Sequence, residues 1–310
     1  MRIGTSSFEN CKTLSYIDIP QGVGLIDPNA FSGCSSLMDI VIPENVLKIG
    51  EKAFSGCTSL KKLSIPKSVD YNNIGKQFVD NCTCELSIYP KKLKTEDDNV
   101  ITNYFYGTIL VPDDASNIPE GVFTNNKGLK GYKGKFASKD GRCLIYNGTL
   151  IAYCKNSIEQ AYLLPNGIKK IGKYACRGFS MYPKISAFRL SEGVEEIGEY
   201  AFINHFNDFS VLELPSTLKQ INKNAFSYCW HLKYINCQAV TPPITDESLG
   251  GFNNELFDLK AIYVPTESVE LYKNAIGWMN FSDKIKGYDW NSTDATPIYS
   301  SDLWPYLKGE

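Results

Sequence analysis

Apolar positions return at a constant spacing of 23 residues along the first part of the chain. The strictest series is Ile19, Ile42, Ile65 and Ile88, continued at the same spacing by Val111 and Gly134. Further series with this spacing are Phe8, Phe31 and Phe54; Cys11, Cys34 and Cys57; Leu14, Leu37 and Leu60; and Pro20, Pro43 and Pro66. A period of about 20–29 residues indicates one supersecondary unit stacked many times, in which each copy buries its apolar face on its neighbours.

A single repeat shows which elements this pattern predicts. Ile40 and Ile42 are two residues apart, so both side chains point to the same side of a strand. Pro43 has no N–H to donate to a neighbouring strand and therefore suits a strand end. Residues 44–50 then predict a loop with apolar anchors, and residues 51–57 predict a turn that returns the chain with an Ala-Phe pair facing inward.

The residue after each loop isoleucine is small or polar. At this position stand Gly4, Asp27, Gly50, Gly75, Gly172, Gly198 and Asn222. Gly, Asn and Asp are the residue types that tolerate a left-handed backbone. We therefore expect a positive φ at this position in most repeats.

Counting through the whole chain gives twelve strand positions, one in each repeat. They are Ile19, Ile42, Ile65, Ile88, Val111, Gly134, Leu164, Leu190, Leu214, Cys237, Val264 and Gly287, separated by 23, 23, 23, 23, 23, 30, 26, 24, 23, 27 and 23 residues. Repeats this short require parallel stacking, with about 4.8 Å between strands. The sequence predicts a strand-dominated solenoid with little helix and one parallel sheet of about twelve short strands, roughly 50 Å long.

The 30-residue gap contains a hairpin signal. Asn147-Gly148 separates two apolar runs, and this dipeptide is the strongest short signal for a β-hairpin. We expect an inserted β-hairpin over residues 139–156. The predicted domains are N-terminal repeats at 1–135, the hairpin insert at 136–157, C-terminal repeats at 158–287, and a tail or cap at 288–310. In that tail, Trp304-Pro305 either docks back as a cap or stays loose.

Composition and charge exclude several classes of function. The net charge is −2, from 32 basic and 34 acidic residues, which predicts no nucleic-acid partner and no basic patch for membranes. No apolar run approaches the roughly 18 residues needed to span a bilayer. We expect a monomer. The chain starts inside a repeat, so we expect either that a secretion signal and earlier repeats were trimmed, which the missing polar cap favours, or that the natural chain starts abruptly.

Ten cysteines raise the question of disulfides. Cys11, Cys34 and Cys57 each follow a Phe by three residues, and Cys229 stands in the same place after Phe226. We expect a stacked row of buried free thiols that act as small hydrophobic groups. The alternative is a disulfide between neighbouring repeats, whose Cα atoms could come within bonding range.

No motif for catalysis, for a metal or for a cofactor emerges from the sequence. The two histidines, His205 and His231, suit packing or surface positions better than the role of a catalytic base. Cys82-Thr83-Cys84 does not have the C-x₂-C spacing of a zinc site. The acidic runs at 96–98 and 113–114 do not have the alternation of a calcium loop and suit solvated loops. We therefore predict no enzyme activity, no cofactor and no metal.

The repeat resembles that of the BspA-like leucine-rich repeat family, whose pattern is roughly L-x-x-I-x-I-P, then V-x-x-I-G, then A-F-x-x-C. The residues that carry the resemblance are Leu37, Ile40, Ile42, Pro43, Val46, Ile49, Gly50, Ala53, Phe54 and Cys57. Residues 137–145 and 264–287 are similar to the hairpin insert and the C-terminal end of members from gut Bacteroidetes. The resemblance covers residues 3–287. It implies an α/β-type leucine-rich-repeat solenoid in a secreted or cell-surface protein, often linked to adhesion.

A candidate binding face follows from the alternation along the strands. In the first half of the chain the outward positions are mostly polar. In the second half they include Ala161, Leu163, Ala187, Val211, Tyr234, Ala261 and Tyr263. A contiguous apolar patch with tyrosines on an exposed sheet marks a candidate interface. We predict Leu163, Val211, Tyr234 and Tyr263 as binding residues, the alternative being that the hairpin or the tail folds over this patch and buries it.

These observations leave three hypotheses for function. The first is a non-enzymatic recognition or adhesion protein, extracellular or on the cell surface, that binds a host or bacterial surface protein or glycan through the solenoid. The second is a structural spacer that displays another module. The third, an enzyme with loops grafted on the solenoid, has the least support because no catalytic constellation is present.

Overall fold

The chain folds into two compact units that are built from the same kind of repeat. The computed structural model describes residues 1–89, 105–123, 128–154, 161–177, 187–203, 210–245, 256 and 258–290. The first unit contains Met1–Tyr146 and Ile151–Asn156. The second contains Asn147–Leu150 and Ser157–Glu310.

Short strands dominate both units. Up to the hairpin turn they are β1 Arg2–Ile3, β2 Tyr16–Ile17, β3 Leu25–Ile26, β4 Asp39–Ile40, β5 Lys48–Ile49, β6 Lys62–Ser64, β7 Glu85–Ser87, β8 Thr108–Leu110, β9 Gly131–Lys133 and β10 Cys143–Tyr146. The later strands are β11 Thr149–Tyr153, β12 Ala161–Leu163, β13 Lys170–Ile171, β14 Ala187–Arg189, β15 Glu196–Ile197, β16 Val211–Leu214, β17 Gln220–Ile221, β18 Tyr234–Cys237, β19 Ile244–Thr245, β20 Ala261–Pro265 and β21 Ile285–Tyr288.

Helix is scarce in the described part of the chain. One α-helix, α1 at Val269–Asn274, has six residues. Three 3-10 turns occur at Tyr71–Asn73, Thr266–Ser268 and Met279–Phe281. The structure therefore confirms the predicted strand-dominated solenoid with little helix.

Twelve of the described strands form what we call the main ladder, with one strand in each repeat. In the first unit β2 pairs with β4, and β6 to β9 pair in chain order; in the second unit the order is β12-β14-β16-β18-β20-β21. All these pairs are parallel, and partners are one repeat apart: Leu63 lies opposite Leu86, and Leu86 opposite Ile109. The parallel stacking predicted from the repeat length is confirmed.

A second ladder lies where the sequence predicted a loop. In the first unit its strand order is β1-β3-β5, and the second unit has a separate ladder of the same kind with the order β11-β13-β15-β17-β19. These strands are mostly two residues long and carry the buried loop isoleucines, such as Ile26 and Ile49. The prediction of one sheet was incomplete because two residues are too few to show the alternation that identifies a strand.

Stacked aromatic rings fill the core of the first unit. Phe8 stacks on Phe31 with ring centroids 5.3 Å apart, and Phe31 stacks on Phe54 at 5.4 Å. Phe31 and Phe54 are completely buried. In the second unit Phe202 stacks on Phe226 at 5.1 Å. The 23-residue series of phenylalanines therefore corresponds to a continuous row of core rings.

The expected positive φ after the loop isoleucine was wrong. The positive φ values occur two residues later, at Ser6, Asn29, Lys52, Gln77, Tyr174, Tyr200 and Asn224. At the predicted position, glycine is needed for a different reason: the backbones of neighbouring repeats approach each other closely there. A Cβ added to Gly50 would overlap the backbone of Pro28 in the preceding repeat, and one added to Gly198 would lie 2.8 Å from the carbonyl oxygen of Ile171.

The cysteines of the repeat form a row of buried thiols. All ten cysteines are free thiols in the structure, and of these Cys11 is exposed. Four of the buried thiols each donate a hydrogen bond to a Phe carbonyl oxygen of the preceding repeat. These bonds are Cys34 Sγ to Phe8 O at 3.0 Å, Cys57 Sγ to Phe31 O at 3.3 Å, Cys82 Sγ to Phe54 O at 3.1 Å and Cys229 Sγ to Phe202 O at 3.2 Å. The thiols act as small core groups with one weak donor each.

This burial predicts a loss of stability at alkaline pH. Desolvation raises the pKa values of Cys57, Cys84 and Cys154, all in the first unit, from 9.0 to about 12. Above pH 9 the unfolded chain releases these thiol protons while the folded state retains them, so stability falls between about pH 9 and pH 12. By about pH 10 the release of each thiol proton in the unfolded chain should lower the free energy of unfolding by about 1 kcal/mol.

Urea unfolding at pH 8 and pH 10 checks this expectation in the Cys57→Ala variant and the parent. The variant should lose about 1 kcal/mol less stability than the parent between the two pH values, because one titrating thiol is gone. An identical loss in both proteins would contradict the assignment.

A hairpin turn is present at Asn147-Gly148. β10 and β11 are hydrogen-bonded neighbours, and the two turn residues have φ of 49° and 74°. Both positive values are those of the hairpin turn that this dipeptide favours. Within the first unit Tyr146 packs edge-on against Phe136, with ring centroids 5.6 Å apart.

Candidate functional site

The candidate site lies on the outer face of the main ladder in the second unit. Alternation along each strand places two rows of outward residues across this face. The first row, in strand order, is Ala161, Ala187, Val211, Tyr234 and Ala261. The second row is Leu163, Arg189, Glu213, Asn236, Tyr263 and Lys286.

The first row is mostly buried. Ala161, Ala187 and Val211 form a small hydrophobic cluster against which Tyr234 packs. Val211 is only 2% exposed, which corrects the expectation that its side chain lies on the surface. The physical reason is that Val211 is short and lies between its cross-strand neighbours Ala187 and Tyr234.

The second row is polar and partly buried. Arg189 Nε lies 3.3 Å from Glu213 Oε2, and the side chain of Glu213 is almost fully buried. The next residue of the row, Asn236, is 0% exposed, and its amide nitrogen and oxygen have no hydrogen-bond partner among the described residues. An unpaired buried amide costs about 1–3 kcal/mol. The second row therefore has a polar side chain at a position where an apolar side chain would make the folded protein more stable.

Four aromatic rings form a continuous series at the C-terminal end of this face, which we call the aromatic run. Tyr234 stacks on Tyr263 with centroids 6.5 Å apart, Tyr263 meets Tyr288 edge-on at 5.8 Å, and Tyr288 meets Trp290 edge-on at 5.0 Å. All four side chains are half-buried. Burial raises the pKa values of Tyr263 and Tyr288, so both hydroxyls stay protonated donors at neutral pH.

A cleft opens beside the aromatic run, with a volume of about 470 Å³. Tyr288 and Trp290 form one side, and Pro265 with the 3-10 turn at Thr266–Ser268 forms another. Gln238 also lines it, directly after the end of β18. This size is within the range of about 300–1,000 Å³ that is usual for small-ligand sites.

Strand pairing explains why these residues meet. β20 and β21 run in parallel with Pro265 opposite Tyr288, so the turn after β20 lies beside the chain that leaves β21. A Cβ added to Gly287 would lie 3.0 Å from the Cα atom of Thr266, so glycine allows this close approach. The cleft is therefore built from the C-terminal ends of neighbouring strands.

The structure brings together three of the four predicted binding residues, because Tyr234 lies opposite Val211 on the next strand and stacks on Tyr263. Tyr234 and Tyr263 belong to the aromatic run, whereas Leu163 is 41% exposed but lies four strands away, about 19 Å by the usual strand spacing. Tyr288 and Trp290 were missed because the tail was placed from residue 288 onward. Tyr288 still belongs to β21. The alternation of side chains along the strand could have predicted that Tyr288 faces outward, because it stands two residues after the outward residue Lys286.

The first unit has a cleft of its own on the main ladder, with a volume of about 450 Å³. Lys67 Nζ lies 2.7 Å from Asp114 Oδ2 and 5.4 Å from the centroid of the Tyr89 ring. The hydrogen bond from Lys67 lowers the pKa of Asp114, together with one from Tyr89. Lys67 and Asp114 thus form an ion pair with each other. Lys67 is also one of the residues that line this polar surface cleft.

Of the two histidines considered as catalytic candidates, His231 lies in the described part of the chain. His231 Nδ1 lies 2.7 Å from Asp258 Oδ2, and both side chains are exposed. His205, the acidic run at 96–98 and the Trp304-Pro305 pair lie outside the described residues. Within the described ranges, no group of three His, Cys, Asp or Glu side chains is placed to hold a metal ion. The helices in the part of the chain that the structure covers are too short and polar to cross a bilayer.

Comparisons with solved structures show what this chain is similar to. A leucine-rich cell-surface protein from Faecalibacterium prausnitzii is 20% identical, with 95% of this chain and 86% of that chain covered and a TM-score of 0.46. The pneumococcal vaccine antigen PcpA is 20% identical, with coverages of 93% and 68% and a TM-score of 0.45. A leucine-rich repeat protein from Bacteroides ovatus is 19% identical, with coverages of 93% and 81% and a TM-score of 0.40.

The family comparison is decisive for the repeat. A search of the curated proteins gave no match. The BspA-type leucine-rich repeat region matches in six copies over residues 1–130 and 151–280. These ranges include most of both units and the residues from which the resemblance was first inferred. The chain belongs to the BspA-type leucine-rich repeat family.

Proposed function

We propose that this protein is a non-enzymatic recognition protein, secreted or displayed on the cell surface, that binds a protein or glycan through the outer face of its second unit. The observation that carries the proposal is the aromatic run. Four half-buried rings in series, next to a cleft, provide the kind of anchor that dominates binding energy at interfaces.

The polarity of the face supports the same proposal. The cleft side of the aromatic run carries carboxyl and amide groups, so a partner would find hydrogen-bonding groups around an aromatic centre. A structural spacer does not require such a patch, because its outer face only has to be soluble. The family is defined by a repeat scaffold, which supports a binding role over catalysis. Similarity to a leucine-rich cell-surface protein supports the extracellular location.

Binding of the protein to an array of human extracellular-matrix proteins and glycans tests this function. We expect the parent to bind at least one member, and Tyr263→Ala to weaken that binding at least tenfold, because a central aromatic side chain is removed. Tyr16→Ala is the matched control, since Tyr16 is an exposed tyrosine on the main ladder of the first unit.

The outcomes separate the hypotheses. If the parent binds no member of the array, the spacer hypothesis replaces recognition. If Tyr16→Ala and Tyr263→Ala weaken binding equally, the site is not on the aromatic run. Turnover of a glycan or peptide during the assay would support the enzyme hypothesis instead.

A further inference from the structure

We propose that the cleft beside Trp290 is a carbohydrate site that takes neutral oligosaccharides and excludes anionic ones. This inference rests on the proposed recognition function and names the ligand class for one part of that surface. It is argued from three observations: the aromatic wall, the set of polar groups, and the sign of the charge around the cleft.

The aromatic wall suits the apolar faces of sugar rings. Tyr288 and Trp290 meet edge-on with an interplanar angle of 66°, so the two rings present surfaces in different directions. Both line the cleft and neither is fully buried. A pyranose has patches of C–H groups on its faces, and these pack on aromatic rings, whose faces carry partial negative charge.

The polar groups suit vicinal hydroxyls. Glu267 offers carboxylate oxygens that accept hydrogen bonds, and Gln238 offers both a donor and an acceptor. A pair of neighbouring sugar hydroxyls matches planar carboxylate and amide groups, which can accept or donate two parallel bonds. A peptide carries far fewer neighbouring hydroxyl pairs than a sugar does. The carboxylate and amide groups that line the cleft therefore favour a sugar as ligand.

The charge around the cleft determines which sugars fit. No lysine or arginine is among the described residues that line it, whereas Glu267 and Asp289 are. A further carboxylate lies next to a lining residue, because the hydroxyl and the backbone N–H of Ser216 donate to the two oxygens of Glu192 at 2.9 and 3.1 Å. A sialic acid, uronic acid or sulfate placed here would meet the like charge of Glu267 among the described lining residues.

Binding to a glycan array that holds neutral, sialylated and sulfated oligosaccharides tests the proposal, using the full chain. We expect signals on neutral glycans and weaker signals on the sialylated or sulfated forms of the same core. Trp290→Ala should lower the affinity for the best neutral glycan at least tenfold, and Trp290→Phe should restore most of it. Trp230→Ala is the control, since Trp230 is another partly exposed tryptophan of the second unit that does not line the cleft.

Failure of this proposal differs from failure of the recognition function. If the protein binds a matrix protein through Tyr263 but binds no glycan, the recognition function stands and the carbohydrate site is wrong. If Trp290→Ala and Trp230→Ala have the same effect on glycan binding, the site is elsewhere. A preference for sialylated or sulfated glycans would overturn the charge argument. Glu267→Gln tests whether the carboxylate of Glu267 sets the specificity. This variant should raise the signal of anionic glycans relative to neutral ones while leaving the fold intact.

Discussion

Replacing Phe54 by alanine is expected to destabilise the first unit by about 3–5 kcal/mol, the usual cost of removing a buried phenylalanine ring. Phe54 is completely buried and stacks on Phe31 with centroids 5.4 Å apart. The cavity would lie between consecutive repeats, so it would weaken the interface on which the next repeat depends. A repeat array has no other core that could compensate for such a loss.

The free energy of unfolding of Phe54→Ala should be measured by urea titration with far-UV circular dichroism, and its site by hydrogen exchange of peptides around residues 26–57. Two controls sharpen the result. Phe54→Leu should cost less than about 1.5 kcal/mol because much of the volume is retained. Phe8→Ala should cost less than Phe54→Ala, because Phe8 is only partly buried at the end of the row. Equal losses in the free energy of unfolding for Phe8→Ala and Phe54→Ala would contradict the interpretation that the stacked rings form one continuous core.

Replacing Gly50 by alanine is expected to cost about 3 kcal/mol, at the upper end of what overpacking usually costs. The added Cβ would overlap backbone atoms of Asp27 and Pro28 in the preceding repeat. Backbone atoms cannot rotate away as a side chain can, so the two repeats would have to separate. The Gly50 N–H donates to Ile26 O at 2.7 Å, and this separation would lengthen that hydrogen bond of the second ladder.

Gly24→Ala is the matched control for Gly50→Ala. A Cβ on Gly24 would meet its nearest neighbour, Asn45 O, at 3.7 Å, which is ordinary van der Waals contact. Neither glycine has a positive φ, so the comparison isolates packing from backbone conformation. Urea unfolding of both variants should show a large loss for Gly50→Ala and less than about 1 kcal/mol for Gly24→Ala. Similar values for the two variants would refute close approach as the reason for the glycine.

The residues of the candidate site show where prediction from sequence stops. Tyr234 and Tyr263 could be placed on one face because strand alternation and the repeat count fix which side chains point outward. The burial of Val211 could not, because exposure depends on which neighbours cover a short side chain. The cleft could not be predicted either, since it requires Gln238, Glu267 and Trp290 to meet across loops whose lengths differ between repeats.

The sequence by itself determined the repeat, the parallel pairing, the core rows and the hairpin turn, because each follows from local spacing that every copy repeats. Only the tertiary structure decided the role of Gly50, the second ladder and the site around Trp290. The physical reason is that these features depend on distances between neighbouring repeats. The constant spacing predicts which positions of neighbouring repeats stack on each other. The distance between their backbones, and the side chains that fill the space beside them, depend on the packing of the whole unit.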